Sequence, residues 1–242
     1  MSAVRAELIK LRTVRSTAIT FALAVAVSAG SGALLGAAFR GRAVADVDPL
    51  FTAFYGLTIA QIPLVVFAVL AVGEEYRSGL IRVSLAAVPR RGRFVAAKIG
   101  AVLGFLAPGA AVVVAVAFVA ARAAPGGPGA APAILGAWLY LVLISLFALG
   151  FAMLVRSPVV ALGVLLPLLF LGSQGLGNVP AISRVTQYLP DQLGWVAMHL
   201  AGPQDDPRWA RDYGPWTGLA LLGLWAAAAL ISGWVAVRRR DA

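Results

Sequence analysis

Cysteine is absent from the 242 residues, and histidine occurs once, at His199. The first absence excludes disulfides and thiolate metal sites. The second leaves a lone imidazole; Asp191, Asp205 and Asp206 lie near it in sequence but show no ligand spacing, so no metal is expected. Charge is scarce as well: 12% of residues are charged, against roughly a quarter in soluble domains. Acids are outnumbered ten to twenty by bases, and only two of those bases are lysines, Lys10 and Lys98. A Gly-x4-Gly-Lys-Ser/Thr phosphate loop is missing, so the chain is not expected to power itself with ATP. Nor does any apolar stretch pair a nucleophile with a base, which argues against an enzyme.

What is abundant is uncharged length. Charge-free windows run over Ser16–Phe39, Pro49–Gly73, Ile99–Ala121, Ala123–Val155, Ser157–Ser183 and Tyr213–Val237. About 20 apolar residues cross a hydrocarbon core ~30 Å thick. The sequence therefore predicts an all-α, polytopic membrane protein, a single domain over 1–242. Its spans are expected at about 17–38, 50–73, 99–121, 133–155, 158–177 and 214–237. The Pro- and Gly-rich start of the fourth window, Ala123–Pro132, reads as a loop. The first window is longer than the apolar region of a signal peptide and reads as a span.

Basic residues of short loops sort to the cytoplasmic side. With the amino terminus inside, that side holds Arg5, Lys10, Arg12, Arg15, Arg77, Arg82, Arg90, Arg91, Arg93, Lys98, Arg156, Arg238, Arg239 and Arg240, fourteen of the twenty. On the other side Arg40, Arg42, Arg122, Arg184, Arg208 and Arg211 are offset by Asp46, Asp48, Asp191, Asp205, Asp206 and Asp212. Both termini are thus expected in the cytoplasm. The excess of +10 is explained by membrane orientation and calls for no nucleic-acid partner. Arginine in place of lysine, in an Ala- and Gly-rich chain, suggests GC-rich bacterial coding and a bacterial plasma membrane.

Three regions outside the spans are long enough for structure. In residues 1–15, Val4, Leu8 and Leu11 form an apolar stripe with Arg5 and Arg12 beside it, which suits an interfacial helix; a basic leader that merely orients the first span is the alternative. The stretch 74–98 is too long for a tight turn, and Gly79 and Pro89 bracket Leu80–Val88, room for two helical turns exposing apolar residues amid charge. Within Gly175–Asp212, the runs Val179–Leu189 and Leu193–Leu200 are too short to cross and read as re-entrant or interfacial segments. Inside the spans, Phe54, Thr58, Gln61 and Val65 share one face, with Pro63 beside them. Gln61 either lines a substrate path or hydrogen-bonds a neighbouring helix. Pro167 marks a bend in the fifth span, and Gly32-x3-Gly36 and Gly100-x3-Gly104 permit close helix contact.

The amino-terminal run Glu7-Leu8-Ile9-Lys10-Leu11-Arg12-Thr13-Val14-Arg15-Ser16, six spans, and Glu74-Glu75-Tyr76-Arg77-Ser78-Gly79-Leu80-Ile81 after the second span resemble the permease subunit of type-2 ABC exporters. Ala87-Val88-Pro89-Arg90-Arg91 followed by Lys98 adds to the likeness, which covers essentially the whole chain. Ser78 stands where the family often has Thr, and Leu80 replaces another Thr.

The resemblance implies a half-transporter. A second permease copy, or a sister permease, would pair with it, and separate ATP-binding subunits carrying ATP and Mg would dock beneath. No cofactor would bind this chain itself. Glu74, Glu75, Tyr76, Arg77, Gly79, Leu80 and Ile81 would form or support the coupling contact. Val4, Leu8, Leu11 and Arg12 would belong to the interfacial helix, and Thr58, Gln61 and Pro167 would lie nearest a path for a hydrophobic or amphipathic substrate. The same topology would also serve an integral-membrane assembly or signalling partner without transport.

Overall fold

The computed structural model describes residues 3–39, 48–87, 90–121, 129–174, 179, 181–202 and 209–239. The loop at 122–128, the end of the expected fifth span at 175–177, Val88, Pro89 and the last arginine of the tail lie outside these residues. All regular structure described is helical: α1 Ala3–Thr13, α2 Arg15–Ala38, α3 Pro49–Phe54, α4 Leu57–Arg77, α5 Leu80–Ala87, α6 Arg91–Ala120, α7 Ala130–Val155, α8 Pro158–Gln174, α9 Ser183–Thr186 and α10 Pro215–Arg239.

Five stretches are long and apolar enough to cross a membrane: α2, α3 with α4, α6, α7 and α10. The expected fifth span is α8, with 17 residues a helix of about 26 Å at 1.5 Å per residue, just short of a ~30 Å hydrocarbon core. Helices α4 and α7 form the centre and are mostly buried, whereas α2 and α10 lie at the edge and expose Ile19, Leu23, Leu34, Leu224 and Ile231. Apolar surface on that scale is stable against lipid rather than water.

The second expected span is divided. Asp48 caps α3 by accepting from the Leu50 N–H (2.8 Å), with Pro49 at the first helical position. The helix then breaks at Tyr55–Gly56, where α2 comes so close that a Cβ on Gly56 would lie 1.8 Å from Ser31 Oγ. Glycine, a poor helix former, permits this close approach.

The stretch 74–98, expected as a loop, is largely helical. Helix α4 runs on through Arg77, the chain turns at Gly79 with φ +73°, α5 follows at once, and α6 starts at Arg91. The two expected turns at Leu80–Val88 correspond to α5. A helix satisfies its own backbone on either side of a membrane boundary, so nothing obliges it to stop where charged side chains begin.

Both glycine pairs are points of close approach. Gly32 and Gly36 set α2 on α6; a Cβ at Gly36 would lie 2.6 Å from the Ala121 carbonyl oxygen. Gly100 and Gly104 form a shallow groove in which α1 rests, with Leu8 Cδ2 over Gly104. Helix α1 is therefore part of the bundle. Leu11 is buried and Leu8 half-buried against it, whereas Val4, Ile9 and Arg12 are exposed.

The two apolar runs after α8 behave differently. Around α9 the first is a surface element with Ile182, Val185 and Tyr188 exposed. The second is buried at Leu193, Trp195, Met198 and Leu200. It lies along the N-terminal half of α7, Gly194 against the Tyr140 ring, Ala197 against Gly136 and His199 against Gly129.

Candidate functional site

The ends of α1, α4 and α6 converge on four charged side chains, Glu7, Lys10, Glu75 and Lys98. Glu7 lies one helical turn before Leu11, on the face α1 turns to α6. Lys98 stands two turns into α6, without exposed surface, and Glu75 in the last turn of α4 is 4% exposed. The Lys98 ammonium donates to Glu7 Oε2, to Glu75 Oε1 (2.8 Å) and to the Ala71 carbonyl (3.3 Å), which engages all three of its protons. Lys10 donates to Glu7 Oε1 (2.8 Å) and to Glu75 Oε1. Each carboxylate holds both ammonium groups, and the formal charges cancel.

Burial alone would raise the Glu7 carboxyl pKa, but the charge of Lys98 and hydrogen bonds from Lys10 and Lys98 outweigh it, and the group titrates below its usual value. For Lys10, burial alone would lower the pKa, yet its bonds to Glu7 and Glu75 hold it above. Glu7 and Lys10 therefore stay ionised through the neutral range, and the cluster pins α1 to both partner helices.

The resemblance places seven coupling residues next to this cluster, and the structure sorts them. Glu74 and Arg77 form an exposed pair on the last turn of α4, through Nε (2.9 Å) and Nη2 (2.7 Å). Gly79 makes the turn, and Leu80 is exposed at the start of α5, with Val83 66% exposed one turn later. Glu75 and Ile81 are buried, so they position the exposed residues and do not themselves present a surface. Tyr76 is half-buried, with the Arg156 guanidinium 5.6 Å from its ring centre.

Sequence reasoning missed Glu7, Lys10 and Lys98 as a site. One signal was available. The chain has only two lysines and three glutamates, and four of those five residues make this cluster.

Thr58, Gln61 and Pro167 do not share a surface. Thr58 and Gln61 have essentially no exposure, whereas Pro167 is exposed on α8. Gln61 Nε2 donates to the Thr58 carbonyl (2.8 Å), and Gln61 Oε1 accepts from the Tyr140 hydroxyl (2.6 Å), which also lies 3.1 Å from the Asp191 carbonyl. In this conformation Gln61 makes the hydrogen bond between helices that was one of its two expected roles.

The same network continues outward. Asp191 is wholly buried and its Oδ2 accepts from Gln192 Nε2 (2.6 Å); Gln192 Oε1 accepts from Arg211 Nη2 (2.7 Å), and Arg211 stacks over Trp195. Burial holds the Arg211 pKa below its usual value. The Tyr213 hydroxyl bonds the Gln187 and Gln192 carbonyls, and burial drives its pKa well up. His199 Nδ1 lies 2.7 Å from Asp48 Oδ2, tying the segment after α9 to the cap of α3. Among the described residues no three His, Cys, Asp or Glu side chains group as a metal site would need.

These features define an all-helical, multi-pass membrane protein with a charged joint at one end of the bundle and a buried polar network toward the other. Neither any protein-family model nor any curated protein matches the sequence.

Proposed function

We propose that this chain is the membrane-spanning permease subunit of an ATP-driven exporter of the type-2 ABC class, with six spans of which α8 is the fifth, and both termini in the cytoplasm of a bacterial cell. It works as a half-transporter, paired with a second copy, and moves a hydrophobic or amphipathic substrate. A separate ATP-binding subunit supplies the energy, docking on α5. The buried segment Leu193–Leu200 is the re-entrant element of this reading, lying beside α7 within the bundle.

One observation carries the proposal. Helix α5 is a short element set off from α4 by the Gly79 turn and anchored through buried Ile81, with Leu80 and Val83 exposed beside the exposed Glu74–Arg77 pair. Apolar anchors ringed by charge are what a protein partner recognises. Behind it, the ion cluster joins α4 to α1 and α6, so force applied at α5 reaches three helices and not only one. An ATPase acts on such an element only through contacts that differ between its nucleotide states.

The test is co-expression with the ATPase encoded nearest to this chain, purification by a tag on the permease, and comparison of wild type with Val83→Asp and Arg77→Ala. Co-purification that Val83→Asp abolishes, with ATP hydrolysis no longer responding to the permease, is the expected result. Failure of the wild-type chain to retain the ATPase, or retention by Val83→Asp, would sink the proposal.

A further inference from the structure

A cavity of about 310 Å³ opens where α1 meets α2, beside the last three turns of α4 and the start of α5. It is large enough to hold several waters. One part of its wall is apolar, with Leu11, Val14, Phe67 and Leu70; the other carries Lys10, Glu74, Glu75 and the hydroxyl residues Ser16, Thr17 and Ser78. The cavity straddles the point where the apolar part of α4 gives way to its charged end. It is amphipathic in the direction a lipid is.

Glu75 gives the wall a specific demand. Its Oε1 takes both lysines, while Oε2, equally shielded, accepts no hydrogen bond. A buried acceptor left in that state is costly. Glu75 lines the cavity and the last torsion of a glutamate is soft, so its carboxylate can turn to meet a donor there. A cationic N–H donor suits this oxygen best, because hydrogen bonds between charged groups are the stronger ones. Lys10 and the hydroxyls supply the complementary partners for an anion, and the apolar wall supplies a seat for methylenes.

We propose that this cavity binds the zwitterionic headgroup of an aminophospholipid from the adjoining leaflet. The primary ammonium lies on Glu75, with Glu74 near; the phosphate is held by Lys10 with the hydroxyls of Ser16 and Thr17; the first methylenes of the chains rest on Leu11, Val14 and Phe67. The site is independent of any ATP-binding partner. A phosphatidylcholine headgroup, whose quaternary ammonium has no N–H, cannot complete Glu75, and phosphatidylglycerol lacks the cation.

The experiment is thermal unfolding of the full chain in detergent with phosphatidylethanolamine, phosphatidylcholine or phosphatidylglycerol of matched chains. Phosphatidylethanolamine is expected to raise the midpoint by several degrees more than the other two. Glu75→Gln, which places an amide donor in the carboxylate's position, should abolish that difference. Because this variant also disturbs the ion cluster, Ala71→Trp provides a second arm: it fills the cavity wall and leaves all four charged side chains in place. Equal shifts for the three lipids would overturn the proposal, as would no shift for any of them, which would leave water as the occupant. An undiminished preference in Ala71→Trp would place the lipid elsewhere and overturn it too.

Discussion

The two ends of the bundle bury polar groups by opposite means. At the α5 end, two lysines and two glutamates meet as full charges from three helices, and their long side chains bridge the distance. Toward the α9 end, Gln61, Tyr140, Asp191, Gln192, Arg211 and Tyr213 form a chain mostly of neutral hydrogen bonds, supplied by two helices and by irregular backbone that follows α7. Helices separated by side-chain length can be pinned only by groups that reach. Irregular backbone laid directly on a helix uses its own carbonyls, and short Asp and Gln side chains suffice. The first arrangement fails when a single charge is removed; the second is sensitive to the space it occupies.

The sharpest way to break this contrast is Lys98→Ala. It leaves Glu7 and Glu75 buried with Lys10 alone and is expected to cost about 3–5 kcal/mol, measured by thermal or denaturant unfolding in detergent. Adding Glu7→Gln to that variant should recover part of the loss. At the other end, Gly172→Ala would set a methyl group 2.1 Å from Asp191 Oδ2. Displacing that carboxylate is expected to cost about 1–3 kcal/mol, with faster proteolysis confined to the segment after α9.

The pH dependence follows from the cluster. Glu7 titrates below its usual 4.5, so its contribution to stability is present above that value and is lost as pH falls through the folded pKa. Lys10 titrates above its usual 10.5, so its contribution is present below that value and is lost as pH rises through the folded pKa. A neutral plateau with two falling limbs is expected in unfolding midpoints, and Glu7→Gln should flatten the acid limb. The smallest effect belongs to Glu74→Ala. Its pair with Arg77 is exposed, and stability should barely change; an equal or larger loss than for Lys98→Ala would erase the distinction between a solvated pair and the buried cluster.

How far the chain was legible depended on what each feature is made of. Windows without charge placed most spans to within a few residues, because hydrophobic length is a local property, but α6 starts at Arg91, eight residues before its expected span. The turn at Gly79 and helix α5 were readable for the same reason. The close approach at Gly56 was not, since it involves Ser31 of α2, a residue far from it in sequence. Glu7 had no assigned role of its own, and its meaning depends on Lys98 in a helix that begins far along the sequence. Gln61 illustrates the middle case: its need for a partner was plain, but Tyr140 and the Asp191 carbonyl could not be named before the segment after α9 was placed beside α7.

The docking of α1 also fixes an order of events in the life of the molecule. Glu7 and Lys98 are separated by 91 positions, and at synthesis rates of ~5–20 residues per second the lysine follows the glutamate by roughly 5 to 18 s. Throughout that interval the first helix has neither its counter-charge nor the Gly100–Gly104 groove to lie in. It must wait at the membrane surface while α2 and α4 are laid down, and it is recruited only when α6 arrives. The first helix made is among the last to find its place.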